Sequence, residues 1–120
     1  MEAIRILLVE DDRDNAYLLS RLLGHDRYRV WVARTLAEAK QLCDAQAFDV
    51  MICDLGLPDG EGIEALAYAR RTSNVAGIVL SGYGDDEHRD GARAAGFAEF
   101  LVKPTPLTMI EDAIQRAMNR

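Results

Sequence analysis

Short apolar runs alternate with segments of helical period along the whole chain. Ile4–Val9 is a continuous β-branched and leucine run, which predicts a buried strand. Residues 14–23 place Ala16, Leu19, Leu22 and Leu23 on one helical face, and Gly24 supplies the stop. Tyr28–Ala33 alternates instead, with Val30 and Val32 on one side and Arg29 and Trp31 on the other. Alternation predicts a strand with one polar face or an edge position. Thr35-Leu36-Ala37-Glu38 has the form of a capping box, and Ala39, Leu42 and Cys43 continue the stripe of a second helix. Residues 49–54 form a third strand, followed by the glycine- and proline-dense loop Asp54-Leu55-Gly56-Leu57-Pro58-Asp59-Gly60. A third helix is expected over 61–71, with Ile63, Leu66 and Ala67 inward.

The second half repeats the alternation. A fourth strand is expected over 77–81, then a turn at Gly82-Tyr83-Gly84 and a helix over 85–95. Gly91 in the middle of that helix costs about 1 kcal/mol relative to Ala, which makes it a soft element. Gly96 ends it, and 99–102 is a short fifth strand. Thr105 is expected to cap a last helix with Pro106 at its first position. Ile110, Ala113, Ile114 and Ala117 follow at i, i+3, i+4 and i+7. Five strands and five helices in strict alternation predict one α/β domain over residues 1–120, a doubly wound parallel sheet with right-handed crossovers. The alternating second strand belongs at an edge and the most apolar strands in the middle. The expected order is 2-1-3-4-5, with its switch point between the first and third strands.

That topology changes the meaning of the polar residues. Glu10-Asp11-Asp12, Asp54, Ser81 and Lys103 each follow an apolar run, so all fall on the carboxyl edge of the sheet, where such folds bind ligands. Two carboxylates within about 5 Å repel by about 3 kcal/mol at an effective dielectric near 20. A hard divalent cation relieves this, and oxygen ligands with retained waters suit Mg²⁺. Asp54 is then the candidate nucleophile for phosphorus. Metal and Lys103 would stabilise charge on the phosphoryl oxygens, and Ser81 would donate to one of them. Gly82 leaves that group room. Each residue also has a plainer use: Asp12 or Asp14 as helix cap, Asp54 or Ser81 in its own turn, Lys103 as a surface lysine. The Lys103-Pro104 bond can be cis, which would aim the lysine inward.

Composition narrows the classes. A chain of 120 residues with 49% hydrophobic residues can build one core. A net charge of −6 and no basic run disfavour a nucleic-acid surface. No apolar stretch approaches the ~20 residues of a membrane span, and residues 1–4 lack the pattern of an export signal. Cys43 and Cys53, with no metal-type spacing, fit a reduced cytoplasmic protein.

Taken in order, Ile6-Leu7-Leu8-Val9-Glu10-Asp11-Asp12, Asp54 with Pro58 and Gly62 downstream, Leu80-Ser81-Gly82, Ala95-Gly96 and Phe100-Leu101-Val102-Lys103-Pro104 resemble a receiver (response regulator, CheY-like) domain over the full length. The resemblance implies a phospho-acceptor switch rather than an enzyme. Asp54 would take a phosphoryl group from a histidine kinase or phosphotransfer protein. Asp11, Asp54 and the Gly56 backbone carbonyl would ligate Mg²⁺, with Glu10 acting through a water. Ser81 and Lys103 would contact the phosphoryl group, and Phe100 would be the aromatic switch partner of Ser81. The surface of the fourth helix, fifth strand and fifth helix would then respond.

Ser81 stands where Thr is frequent in the family, and Phe100 lacks the hydroxyl of a Tyr. Gly56 and Tyr83 occupy positions that tune phosphate lifetime, and the Asp54–Ser81 connection is a few residues short. Leu80-Ser81-Gly82-Tyr83-Gly84 and Ala94-Ala95-Gly96-Phe97 resemble receivers fused to hybrid sensor kinases, so a covalently linked kinase or output domain is among the expected partners. Three competing readings have distinct signatures. A haloacid-dehalogenase-like phosphatase wants a second Asp at position 56, which is Gly. A flavin or nucleotide binder wants a hydroxyl- or glycine-rich loop where Glu10-Asp11-Asp12 stands. A pseudo-receiver would only bind partners, against which the complete site argues.

Overall fold

Leu7 and Val9 are fully buried on one side of the first strand, and Ile6 and Leu8 on the other. A strand buried on both faces needs a layer of helices above and below it, and this sets the architecture. The computed structural model describes residues 2–82 and 84–119. Among them, the order is β1 (Ile4–Val9), α1 (Arg13–Leu23), β2 (Tyr28–Ala33), α2 (Leu36–Ala45), β3 (Val50–Cys53), β4 (Gly56–Leu57), β5 (Gly60–Glu61), α3 (Gly62–Ala69), β6 (Ala76–Ser81), α4 (Asp86–Ala94), β7 (Phe97–Val102) and α5 (Leu107–Met118). The main sheet is parallel throughout, in the order β2-β1-β3-β6-β7. Counting its five strands alone, this is the 2-1-3-4-5 order expected from the sequence.

Two cores result. Ile6, Leu8, Ile52, Ile78 and Leu80 pack with Leu23 of α1 and with Ile110, Ala113, Ile114 and Ala117 of α5. Leu7, Val9, Met51, Cys53 and Val79 pack with residues of α2, α3 and α4 on the opposite face. β2 is the edge strand, as its alternation requires: Val30 and Val32 lean on the first core and Trp31 on the second. Trp31 meets Phe48 edge to face at 5.6 Å.

The differences from expectation lie at element ends. β4 and β5 pair antiparallel in a two-residue ladder, Gly56 with Glu61 and Leu57 with Gly60, inside the segment expected as plain loop. α3 is shorter than 61–71: Arg70 is its C-cap, and the Arg70 Nε then donates to the Val75 carbonyl at 2.9 Å. β7 begins at Phe97 rather than 99, with a register shift opposite Gly77/Ile78. Gly96 does end α4, at φ 99°, a left-handed conformation that glycine accepts without strain. Thr105 does not cap α5. Its hydroxyl donates to the Val102 carbonyl at 2.6 Å, and Pro106 takes the N-cap position. Pro has no side-chain oxygen to offer the helix amides, so the hydroxyl closes the preceding turn instead.

Candidate functional site

Parallel register brings the site residues together. Val9 pairs with Cys53, so the next residues, Glu10 and Asp54, leave adjacent strands side by side. The Asp54 amide donates to the Val9 carbonyl at 3.1 Å and the Glu10 amide to the Ala33 carbonyl at 2.9 Å, which fixes both strand ends. On the other side, Ser81 pairs with Val102, and the Lys103 amide donates to the Ser81 carbonyl at 2.7 Å. Glu10, Asp11, Asp54, Ser81 and Lys103, expected with Asp12 on the carboxyl edge, therefore end on that one edge.

Glu10, Asp11 and Asp54 each present a carboxylate oxygen, and these oxygens lie within 4.8 Å of one another. Asp12 is not among them. Its side chain accepts from the Asp14 and Asn15 amides at 3.0 and 3.1 Å and caps α1, so the plainer use holds for this residue. The Lys103 Nζ donates to Glu10 Oε1 and lies 3.3 Å from Asp54 Oδ2. The Lys103–Pro104 peptide is cis.

Depth separates the two partners of the ion pair. The Glu10 side chain is 3% exposed and that of Lys103 24%. Burial raises the Glu10 carboxyl above its ordinary range, against the lowering pull of Lys103 and of the Asp12 amide. Burial alone would lower Lys103, but Glu10 and Asp54 more than reverse it and hold the ammonium above its usual value. The donor set fits a hard divalent cation: three carboxylates converge and Asp11 is exposed to solvent. A cation there would favour the ionised form of Glu10.

The wall behind Asp54 depends on glycine. A Cβ on Gly62 would sit 2.4 Å from the Asp54 carbonyl oxygen and 2.8 Å from the Cys53 Sγ. Only glycine lets α3 start this close to the strand end, where the Gly62 amide donates to the Leu55 carbonyl at 2.8 Å. The Cys53 thiol is pushed far up by burial, with Asp54 and Glu10 adding to it, and it serves as packing.

A residue not singled out from the sequence, Asp59, holds the far end of this loop. Its two carboxylate oxygens accept from the Leu36 and Ala37 amides at 2.7 and 3.0 Å. Those bonds hold its carboxyl below the usual range. Thr35 accepts from the Glu38 amide at 3.1 Å as expected. The remaining free amides of the first turn of α2 go to Asp59, so the α2 cap is shared between two segments.

Asp54, Gly56 and Ser81 open onto a cavity of about 700 Å³ between the β4–β5 ladder and α4, with Ile63, His88 and Gly91 among its walls. Ser81 is buried. Phe100 is half-buried on β7. Tyr83, expected beside the site, lies outside the described residues.

The fold and site together define a doubly wound α/β protein with an acidic, lysine-bearing pocket at its switch point. The family model for the response regulator receiver domain matches residues 6–115, and the chain belongs to that family. It is 34% identical over 115 residues to the KDP operon transcriptional regulatory protein KdpE of Escherichia coli, covering 96% of this chain and 51% of that one. It is 29% identical to the response regulator protein PilR of Pseudomonas aeruginosa, covering 98% of this chain and 27% of that one. The chain thus spans about half or less of these curated relatives. Among solved structures, the non-phosphorylated HemR receiver domain of Leptospira biflexa superposes with TM-score 0.84 at 33% identity, covering 98% of this chain and 95% of that one. The BeF3-activated DrrB receiver domain superposes with TM-score 0.87 at 27% identity, covering 99% of this chain and all of that one (100%).

Proposed function

We propose that Asp54 is the phospho-acceptor of a two-component phosphorelay. The observation that carries this is the convergence of Glu10, Asp11, Asp54 and the Lys103 ammonium at the switch point of the sheet. Transfer forms a bond from an Asp54 carboxylate oxygen to phosphorus as the N–P bond of a phosphohistidine breaks. The imidazole leaves with the electron pair and takes up a proton. Asp11, Asp54 and the Gly56 carbonyl would hold Mg²⁺, with Glu10 reaching it through a water. Bound there, the ion would supply positive charge to the phosphoryl oxygens. Lys103, which reaches both Glu10 and Asp54, would supply a second positive charge, and Ser81 a hydroxyl donor. On this reading the chain is a switch with self-phosphorylation and self-dephosphorylation chemistry, and not a turnover enzyme.

Conformational readout would run from Ser81 to Phe100, changing the face made by α4, β7 and α5. The donor would be a histidine kinase or phosphotransfer protein. Tyr17, Leu18 and Leu22 stand exposed along α1, at 66%, 55% and 42%, on the helix that starts at the acidic edge, and this apolar strip suits a helical donor. No helix among the described residues is long and apolar enough to cross a membrane, and a cytoplasmic site of action accompanies this reading. Attachment to a hybrid sensor kinase belongs to the proposal on the strength of the turn after Ser81 and of Ala94–Phe97; the two curated relatives above bear the names of regulators.

The test is intact mass after incubation with Mg²⁺ and acetyl phosphate. Wild type is expected to gain about 80 Da, one phosphoryl group, and Asp54→Ala nothing. No gain in wild type, together with no response to beryllofluoride, would make the chain a pseudo-receiver that only binds partners.

A further inference from the structure

Phe100 and the loop after Ser81 are joined by one side chain. Arg89, exposed on the first turns of α4, places its guanidinium carbon 4.8 Å from the centre of the Phe100 ring. The same side chain donates from Nε to the Gly84 carbonyl at 3.2 Å. Gly84 is itself seated on β7: a Cβ there would come 2.7 Å from the Val102 Cγ2. Val102 and Phe100 are two residues apart on a strand and so share a face. Arg89 thus ties Gly84, in the chain after Ser81, to Phe100 on the outer strand of the sheet.

The apolar anchoring of α4 is slight. Ala92 is its buried residue among those described, and Gly91 has open space around it. A helix held so loosely needs a specific contact to keep one position. The guanidinium supplies it twice, through a charged hydrogen bond and through attraction to the ring face. We infer that Arg89 is a clasp that holds Gly84 and Phe100 in their resting arrangement, so that the strength of this contact sets how readily the chain switches. The inference rests on the phospho-acceptor reading above. It assigns to α4 a positioning residue whose effect is felt before any phosphoryl group arrives.

The protein is labelled with 4-fluorophenylalanine, which marks its three Phe residues, and the Phe100 ¹⁹F signal is identified through Phe100→Leu. Spectra are recorded with and without Mg²⁺ and beryllofluoride. In wild type, beryllofluoride is expected to move the Phe100 signal. Arg89→Ala is expected to move the resting signal part of the way there, raising the switched-to-resting ratio about five-fold, the scale of one exposed cation–π contact and hydrogen bond. Arg93→Ala removes the same charge from the same helix and is expected to match wild type. Arg89→Ala indistinguishable from wild type, or Arg93→Ala shifting the signal equally, overturns the clasp. A wild-type Phe100 signal that ignores beryllofluoride, together with no phosphoryl mass gain, overturns the phospho-acceptor reading instead; an unmoved signal with the mass gain overturns the clasp, so the two failures are separate.

Discussion

α4 and α5 both flank the region around the edge strand β7, yet they are held in different ways. α5 buries Ile110, Ala113, Ile114 and Ala117, a full stripe at helical spacing. α4 has the sequence Asp-Glu-His-Arg-Asp-Gly-Ala-Arg-Ala and buries Ala92. Hydrophobic burial is non-directional and strong, so α5 is part of the frame. Polar contacts of a few residues are weaker and can be exchanged, so α4 is placed to move. The same strand thus has a fixed neighbour and an adjustable one, and the adjustable one lines the cavity into which Asp54 and Ser81 open.

Five substitutions sharpen this contrast. Ile114→Ala, at a fully buried position of α5, is expected to cost about 2–5 kcal/mol in urea unfolding. Glu87→Ala on α4 is expected to stay within about 0.5 kcal/mol. Equal losses would erase the distinction between the two helices. Gly62→Ala pushes a methyl group into the Asp54 carbonyl and is expected to cost about 1–3 kcal/mol. It should also slow phosphoryl uptake by acetyl phosphate, because the strand end carrying Asp54 must shift.

Gly91→Ala has free space for its Cβ and is expected to stabilise α4 by up to about 1 kcal/mol. Slower amide exchange confined to α4 would show it, and the ratio of switched to resting forms by NMR should change with it. An unchanged ratio would detach helix softness from switching. The smallest effect concerns Asp59. Its folded pKa is lowered by the Leu36 and Ala37 amides, so its contribution is present above the ordinary Asp pKa and lost as pH falls through the folded value. The acid-side fall in melting temperature should therefore be shallower in Asp59→Ala than in wild type.

The contrast also marks what the sequence could reveal. Ile4–Val9 and residues 50–53 are continuous apolar runs, and their buried status follows from composition alone. Once they are adjacent parallel strands, Glu10 and Asp54 must be neighbours, so the acidic site was legible from spacing. The β4–β5 ladder was not, since two residues per strand carry no period. Asp59 was missed because it caps a helix that begins 23 residues earlier, beyond any local window. Thr105 was misread because Thr followed by Pro resembles a cap and first turn, while the hydroxyl had a closer partner in Val102. The Arg89–Phe100 contact depends on how α4 lies over β7, which α4's weakly apolar sequence does not encode.

The bond from Asp59 to the start of α2 has a practical consequence. The Leu36 and Ala37 amides report on a loop they do not belong to. Any displacement of residues 55–61 changes the length or charge of those two hydrogen bonds, and with it the ¹⁵N and proton resonances of both amides. Their two cross-peaks form a native sensor at the far side of the loop that follows Asp54. It needs no label beyond the isotope, and it reads the loop independently of Phe100.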